Sequence, residues 1–186
     1  MKKGMKLNKE SQTRLLLLAA LFFSSLFIFR SYLFGDSVMV FDDVGGDTWQ
    51  QYTMHYASIV NHLRAGTFSL WDFTNGMGTN MFLLSLFDPS LILLYVIGVI
   101  LGAAHMLFYL VWIQILKILV AGFVFYLFLS EFNYSRPAKF LAAFAYGLSG
   151  YLMIWGQHYQ FGMVTVYFPL LLLFCEKFLR KEKKWK

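Results

Sequence analysis

Asp47, Gln51, His55, Ser58 and His62 recur at three- and four-residue spacing, so at 100° per residue they share one face of a helix. A carboxylate, an amide, a hydroxyl and two imidazoles in one row are groups that general acid–base chemistry uses. Asp42 and Asp43 stand just upstream, and His158 occupies a later short connection, Gly156-Gln157-His158-Tyr159-Gln160. A carboxylate at a membrane face can act as general base toward a sugar or polyol hydroxyl, or hold a divalent metal against a phosphate. Asp42 and Asp43 are adjacent and point opposite ways in an extended chain, which argues against a matched pair. His55 and His62 lie about two turns (~10 Å) apart, too far for one metal ion, so zinc fits poorly. No GxSxG, Walker A or HExxH motif is present. Asp47 also has a structural reading: after the break at Gly45-Gly46 it stands as a helix N-cap, with Gln50 completing a capping box.

The other face of the same stretch carries Trp49, Tyr52, Tyr56, Ile59, Val60 and Leu63. An amphipathic helix over 47–65 is therefore expected, lying on a membrane or a protein wall. The chain around it is 59% hydrophobic with 21 Phe and a mean hydropathy of +0.58, in long apolar runs, which defines an all-α polytopic membrane protein. The net charge of +6 is not a nucleic-acid signal, because eleven basic residues cluster at the two ends: Lys2, Lys3, Lys6, Lys9 and Arg14 before the first span, and Lys177, Arg180, Lys181, Lys183, Lys184 and Lys186 after the last. Six of the ten acidic residues lie between Asp36 and Asp88, with Arg64 the one basic residue among them. That polarity predicts cytoplasmic termini and an acidic external loop.

Residues 1–14 form the basic cytoplasmic end and 15–34 an uncleaved first span, with Arg30 snorkelling to the outer interface. The external loop covers 35–105. Its segment 82–102, interrupted by Asp88-Pro89, reads as an interfacial or re-entrant helix with Pro89 in its first turn. Three more spans occupy 106–178, as Met106–Ser130, Phe140–Trp155 and Phe161–Phe178, and 179–186 is a basic cytoplasmic tail. Charge parity requires 82–102 not to cross, which leaves Asp47 and His158 on one external side. Lys117 is a cation within a span, a functional candidate unless it pairs with a carboxylate. Tyr146, Gly147, Gly150 and Tyr151 suit close helix packing, and Pro169 falls inside the last span. Cys175, the one cysteine, excludes an intrachain disulfide and a thiolate metal site.

The segments GDTWQQY, LRAGTFSLWDFTNGMGTN and FDPSLILL, followed by SRPAKFLAAFAYGLSGYLMIWGQHYQFG and FPLLLLFCEKFLRK, resemble the start of YfhO-family bacterial membrane proteins, from Leu15 onward. That family resembles the GT-C superfamily of polytopic glycosyltransferases. The resemblance implies a GT-C-like N-terminal transmembrane bundle whose external loop carries an amphipathic juxtamembrane helix. It implies transfer of a sugar from a polyprenyl-phosphate donor to a teichoic-acid-type cell-wall acceptor outside the cytoplasmic membrane. The essential acid then falls on Asp47, with Asp42 and Asp43 as alternates. Gln51, His55, Ser58 and His158 serve the substrate, and Arg64 or Lys117 offsets phosphate charge. No organic cofactor is implied; a divalent metal is the one inorganic candidate. Such proteins are several times longer, so the chain reads as an N-terminal portion or a truncated copy. The competing reading is a non-enzymatic subunit, flippase or transporter for a lipid-linked precursor.

Overall fold

The computed structural model describes residues 8–35, 37–40, 46–67, 69–73, 77–81, 88–154 and 158–183. Helix α1 (Lys9–Ile28) begins where the Asn8 side chain accepts the Ser11 N–H at 2.7 Å, six residues earlier than the expected span. It breaks at Phe29, and α2 (Arg30–Phe34) continues the rise. The Arg30 guanidinium reaches the Phe27 carbonyl at 3.0 Å and lies 4.8 Å from the Phe27 ring centre, so its charge is met locally at the exposed end.

The amphipathic segment starts with a π-helical turn, Thr48–Tyr52, in which the Thr53 N–H reaches back five residues to the Thr48 carbonyl. Helix α3 (Thr53–Arg64) follows, and Tyr52, Tyr56, Ile59 and Val60 are buried as the apolar spacing predicts. Trp49 and Leu63, expected on the same wall, are exposed: one sits in the π turn, out of α-helical phase, and the other at the helix end. A two-stranded antiparallel ribbon, β1 (Trp71–Asp72) with β2 (Thr79–Asn80), pairs Trp71 with Asn80 and Asp72 with Thr79 and lies along the flank of α3.

Helix α4 (Ser90–Leu101) ends at Gly102, whose φ of +100° reverses the chain. The chain then runs through α5 (Ala103–Met106) and a tight turn at Leu107–Tyr109 into α6 (Leu110–Leu129), together a 27-residue helical path. Gly98 lets α4 close on α3, since a Cβ there would lie 2.6 Å from a Val60 methyl. Asp88, just before α4, ion-pairs with Lys117 of α6. Helix α4 therefore begins beside Lys117 and runs back to the start of the α5–α6 path, while the twelve residues of α6 beyond Lys117 extend a further ~18 Å past it.

Helix α7 (Arg136–Gly147) is capped by Ser135 and α8 is short (Gly150–Ile154), so the expected span 140–155 is a helix broken at Leu148-Ser149 that starts four residues earlier. Helices α9 (Tyr159–Gly162) and α10 (Val164–Lys183) replace the expected 161–178 span; α10 retains Pro169 and runs into the basic end. Helices α1, α6, α7 and α10 share one core around Leu17, Leu21, Ile118, Ala143 and Val166, while α3, α4 and the start of α6 share a second around Tyr56, Ile59, Leu94 and Met106. Packing between helices in lipid relies on close approach rather than hydrophobic drive, and Gly122 and Gly147 supply it where α6, α7 and Leu21 of α1 meet. Glu10 accepts from Tyr126 at 2.9 Å and from Lys139 at 2.8 Å, and Lys177 lies 3.7 Å from Glu131. The start of α1, the end of α6, the start of α7 and the later part of α10 therefore gather at one end of the bundle. Among the described residues two helical stretches are long and apolar enough to cross a membrane, Lys9–Ile28 and Ala103–Leu129.

Candidate functional site

Gly46 takes a left-handed φ of +56°, and its carbonyl accepts the Gln50 N–H at 2.7 Å, so the first helical turn opens one residue earlier than Asp47. Asp47 consequently has helical dihedrals (φ −57°, ψ −39°), and its carboxylate makes no capping bond. The capping-box expectation is wrong for that reason. The side chain instead points to a residue 111 positions later: Asp47 Oδ2 lies 3.9 Å from His158 Nδ1. This is beyond hydrogen-bond length but within range of charge interaction.

His158 is held from two further sides. Its Nδ1 is 2.8 Å from the Tyr52 hydroxyl, and its ring meets Tyr52 edge-on at 5.6 Å and Phe161 at the same centroid distance. Tyr52 is itself buried and stacks toward Tyr56, so the π turn and the first turn of α3 form the rigid side of the site. The Asp47 carboxylate remains half-exposed while His158 is mostly covered. An accessible carboxylate beside a fixed imidazole can accept a proton from an incoming hydroxyl.

Residues 15–186 match the family model for the bacterial membrane protein YfhO. This chain belongs to the YfhO family. Neither curated proteins nor solved structures gave a match.

The other candidates in this YfhO-family chain disperse. Gln51 is exposed on the turn after Asp47. His55, expected on the open polar row, is only 3% exposed, because the ribbon covers that flank of α3. There Ser58 donates to the buried Asp72 carboxylate, and burial holds the His55 imidazole below its ordinary value near 6.5 against the opposing effects of a Met81 backbone hydrogen bond and the Asp72 charge. His62 pairs with Thr67 at 2.9 Å. Arg64 is exposed at the far end of α3, close to Gly102. Lys117 is buried in its ion pair with Asp88, which also takes both the backbone N–H and the hydroxyl of Ser90. Asp42 and Asp43 lie outside the described residues.

Among the described residues no three His, Cys, Asp or Glu side chains converge as a metal site. Asp47 and His158 alone would leave most positions on a hard, oxygen-preferring cation to other donors. The divalent-metal reading thus gains no ligand set from these residues. Sequence reasoning missed Tyr52, Asp72 and Asp88. Asp88 had a readable signal: two isolated charges of opposite sign, each in an apolar run, are natural partners. Tyr52 had none, since its apolar-face position accounted for it.

Proposed function

We propose that this chain is the catalytic-loop part of a membrane glycosyltransferase that moves a sugar from a polyprenyl-phosphate donor to a teichoic-acid-type cell-wall acceptor. The convergence of Asp47 with His158 at 3.9 Å carries the reading. Asp47 takes the proton from the acceptor hydroxyl as its oxygen bonds to the anomeric carbon. The bond from that carbon to the donor phosphate oxygen breaks, and polyprenyl phosphate leaves with the electron pair. His158, oriented through Tyr52, stands beside Asp47 at the mouth of the site; the exposed Gln51 amide, one turn on, meets sugar hydroxyls. Arg64 is the accessible cation of the external loop, whereas Lys117 is already neutralised by Asp88.

The proposed topology has cytoplasmic termini, four crossings by α1–α2, α5–α6, α7–α8 and α10, and α4 as a re-entrant helix. It is supported by the polar contacts of Glu10 with Tyr126 and Lys139 at one end, and by Asp47 and His158 meeting at the other. One motive of the flippase or transporter reading, a cation within a span, has a structural account in the pairing of Lys117 with Asp88. The test is sugar incorporation into cell-wall polymer by a strain carrying Asp47→Asn in the full-length protein. Loss of incorporation with unchanged protein level is expected; wild-type incorporation removes Asp47 from the mechanism.

A further inference from the structure

His158 lies in the connection between α8 and α10, and both ends of that connection rest on one turn of α6. At the first end, the buried Gln114 donates its Nε2–H to the Leu152 carbonyl at 2.8 Å. At the second, the Lys117 stem lies under Gly162, where a Cβ would sit 3.3 Å from Lys117 Cδ, 3.8 Å from Nζ and 3.7 Å from Leu152 Cδ2. The two ends therefore approach each other over Gln114 and Lys117, which are three residues apart and share a helix face. The Gly162 N–H returns to the His158 carbonyl at 3.3 Å, and the Phe161 N–H does so at 2.9 Å, so His158 is rigidly tied to the second end. Asp88 fixes the ammonium of Lys117 from the other side, and Ser90 fixes Asp88.

We propose that Gln114 and the Asp88–Lys117 pair are positioning residues, a two-point clamp on α6 that sets the height of His158 against Tyr52 and Asp47. The proposal deepens the reading of Asp47 and His158 as the working pair and rests on it. It accounts for a buried charge pair at this place: the pair joins the re-entrant helix and the His158 turn to the same point of α6. It also accounts for Gly162, since any side chain there would press on the Lys117 stem.

The test follows carbethoxylation of individual histidines by diethylpyrocarbonate in the full chain, read by mass spectrometry. The variants are Asp88→Asn/Lys117→Met and, separately, Gln114→Leu; the first replaces the pair without leaving a lone buried charge, and its Asn still accepts from Ser90. His158 should react roughly tenfold faster in both, equivalent to about 1.4 kcal/mol in the opening equilibrium, and should match Tyr52→Phe. His55, buried against the ribbon, should keep its wild-type rate. An unchanged His158 rate overturns the proposal, and so does a parallel rise at His55, which would mean general loosening. Labelling needs no sugar transfer, so a failed clamp, read at His158, is told apart from a failed Asp47 reading, which shows as wild-type incorporation by the Asp47→Asn strain.

Discussion

Replacing Gly122 with alanine is expected to destabilise the bundle, although the same change in an open helix would stabilise it. A Cβ on Gly122 would lie 2.5 Å from Leu21 Cδ1 and 3.2 Å from the Ala143 carbonyl oxygen. Leu21 has little room to yield, because it is fully buried and its other methyl packs against Gly147. The carbonyl cannot move without shifting α7. Overpacking of this kind costs about 1–3 kcal/mol, and the better helix propensity of alanine returns up to ~1 kcal/mol of it. Gly150 provides the internal comparison: nothing lies within 4 Å of its Cβ position, so Gly150→Ala should be neutral or stabilise by about 0.4–1 kcal/mol through the unfolded chain. Equilibrium unfolding in mixed SDS micelles, followed by circular dichroism, should separate the two variants by about 1–2 kcal/mol. Leu21→Ala should cost less in the Gly122→Ala background than alone, since it also relieves the clash. Equal stability of Gly122→Ala and Gly150→Ala would refute the close-packed node.

Breaking the buried pair from one side with Lys117→Ala should cost about 3–5 kcal/mol, and the paired Asp88→Asn/Lys117→Met change much less, in the same unfolding assay. His55 titrates lower when folded than when unfolded, so its contribution is intact above pH 6.5 and is lost as the pH falls below that value toward the folded one, where the unfolded chain takes up the proton first. The thermal midpoint in detergent should therefore drop on acidification from about pH 7.5 to about 5.5, and His55→Gln should flatten that dependence.

The apolar face of α3 was legible because Tyr52, Tyr56, Ile59 and Val60 follow helical spacing against one wall. The start of α4 beside Pro89 was legible too, from a residue suited to a helix's first turn. The nearness of Asp47 to His158 was legible at the level of sidedness, through charge parity, though not as a contact. What local patterns could not carry were relationships across the chain. The ribbon that buries His55, the partner of Lys117 and the α6 face under the His158 connection join positions 14 to 45 residues apart. The capping box failed on a backbone detail, since opening the helix at Gly46 put Asp47 inside the turn.

The proposed topology puts Asp47 and His158 together outside the membrane and both chain ends on its cytoplasmic side. Its most direct test places single cysteines at Ser37, Thr67 and Ser135, all exposed, in a Cys175→Ser background, and adds a membrane-impermeant thiol reagent to intact cells. The account predicts labelling at positions 37 and 67 without permeabilisation, and at position 135 only after it. Labelling of position 135 from outside would mean that the segment containing α4 crosses the membrane, which would separate His158 from Asp47 and contradict the shared external site.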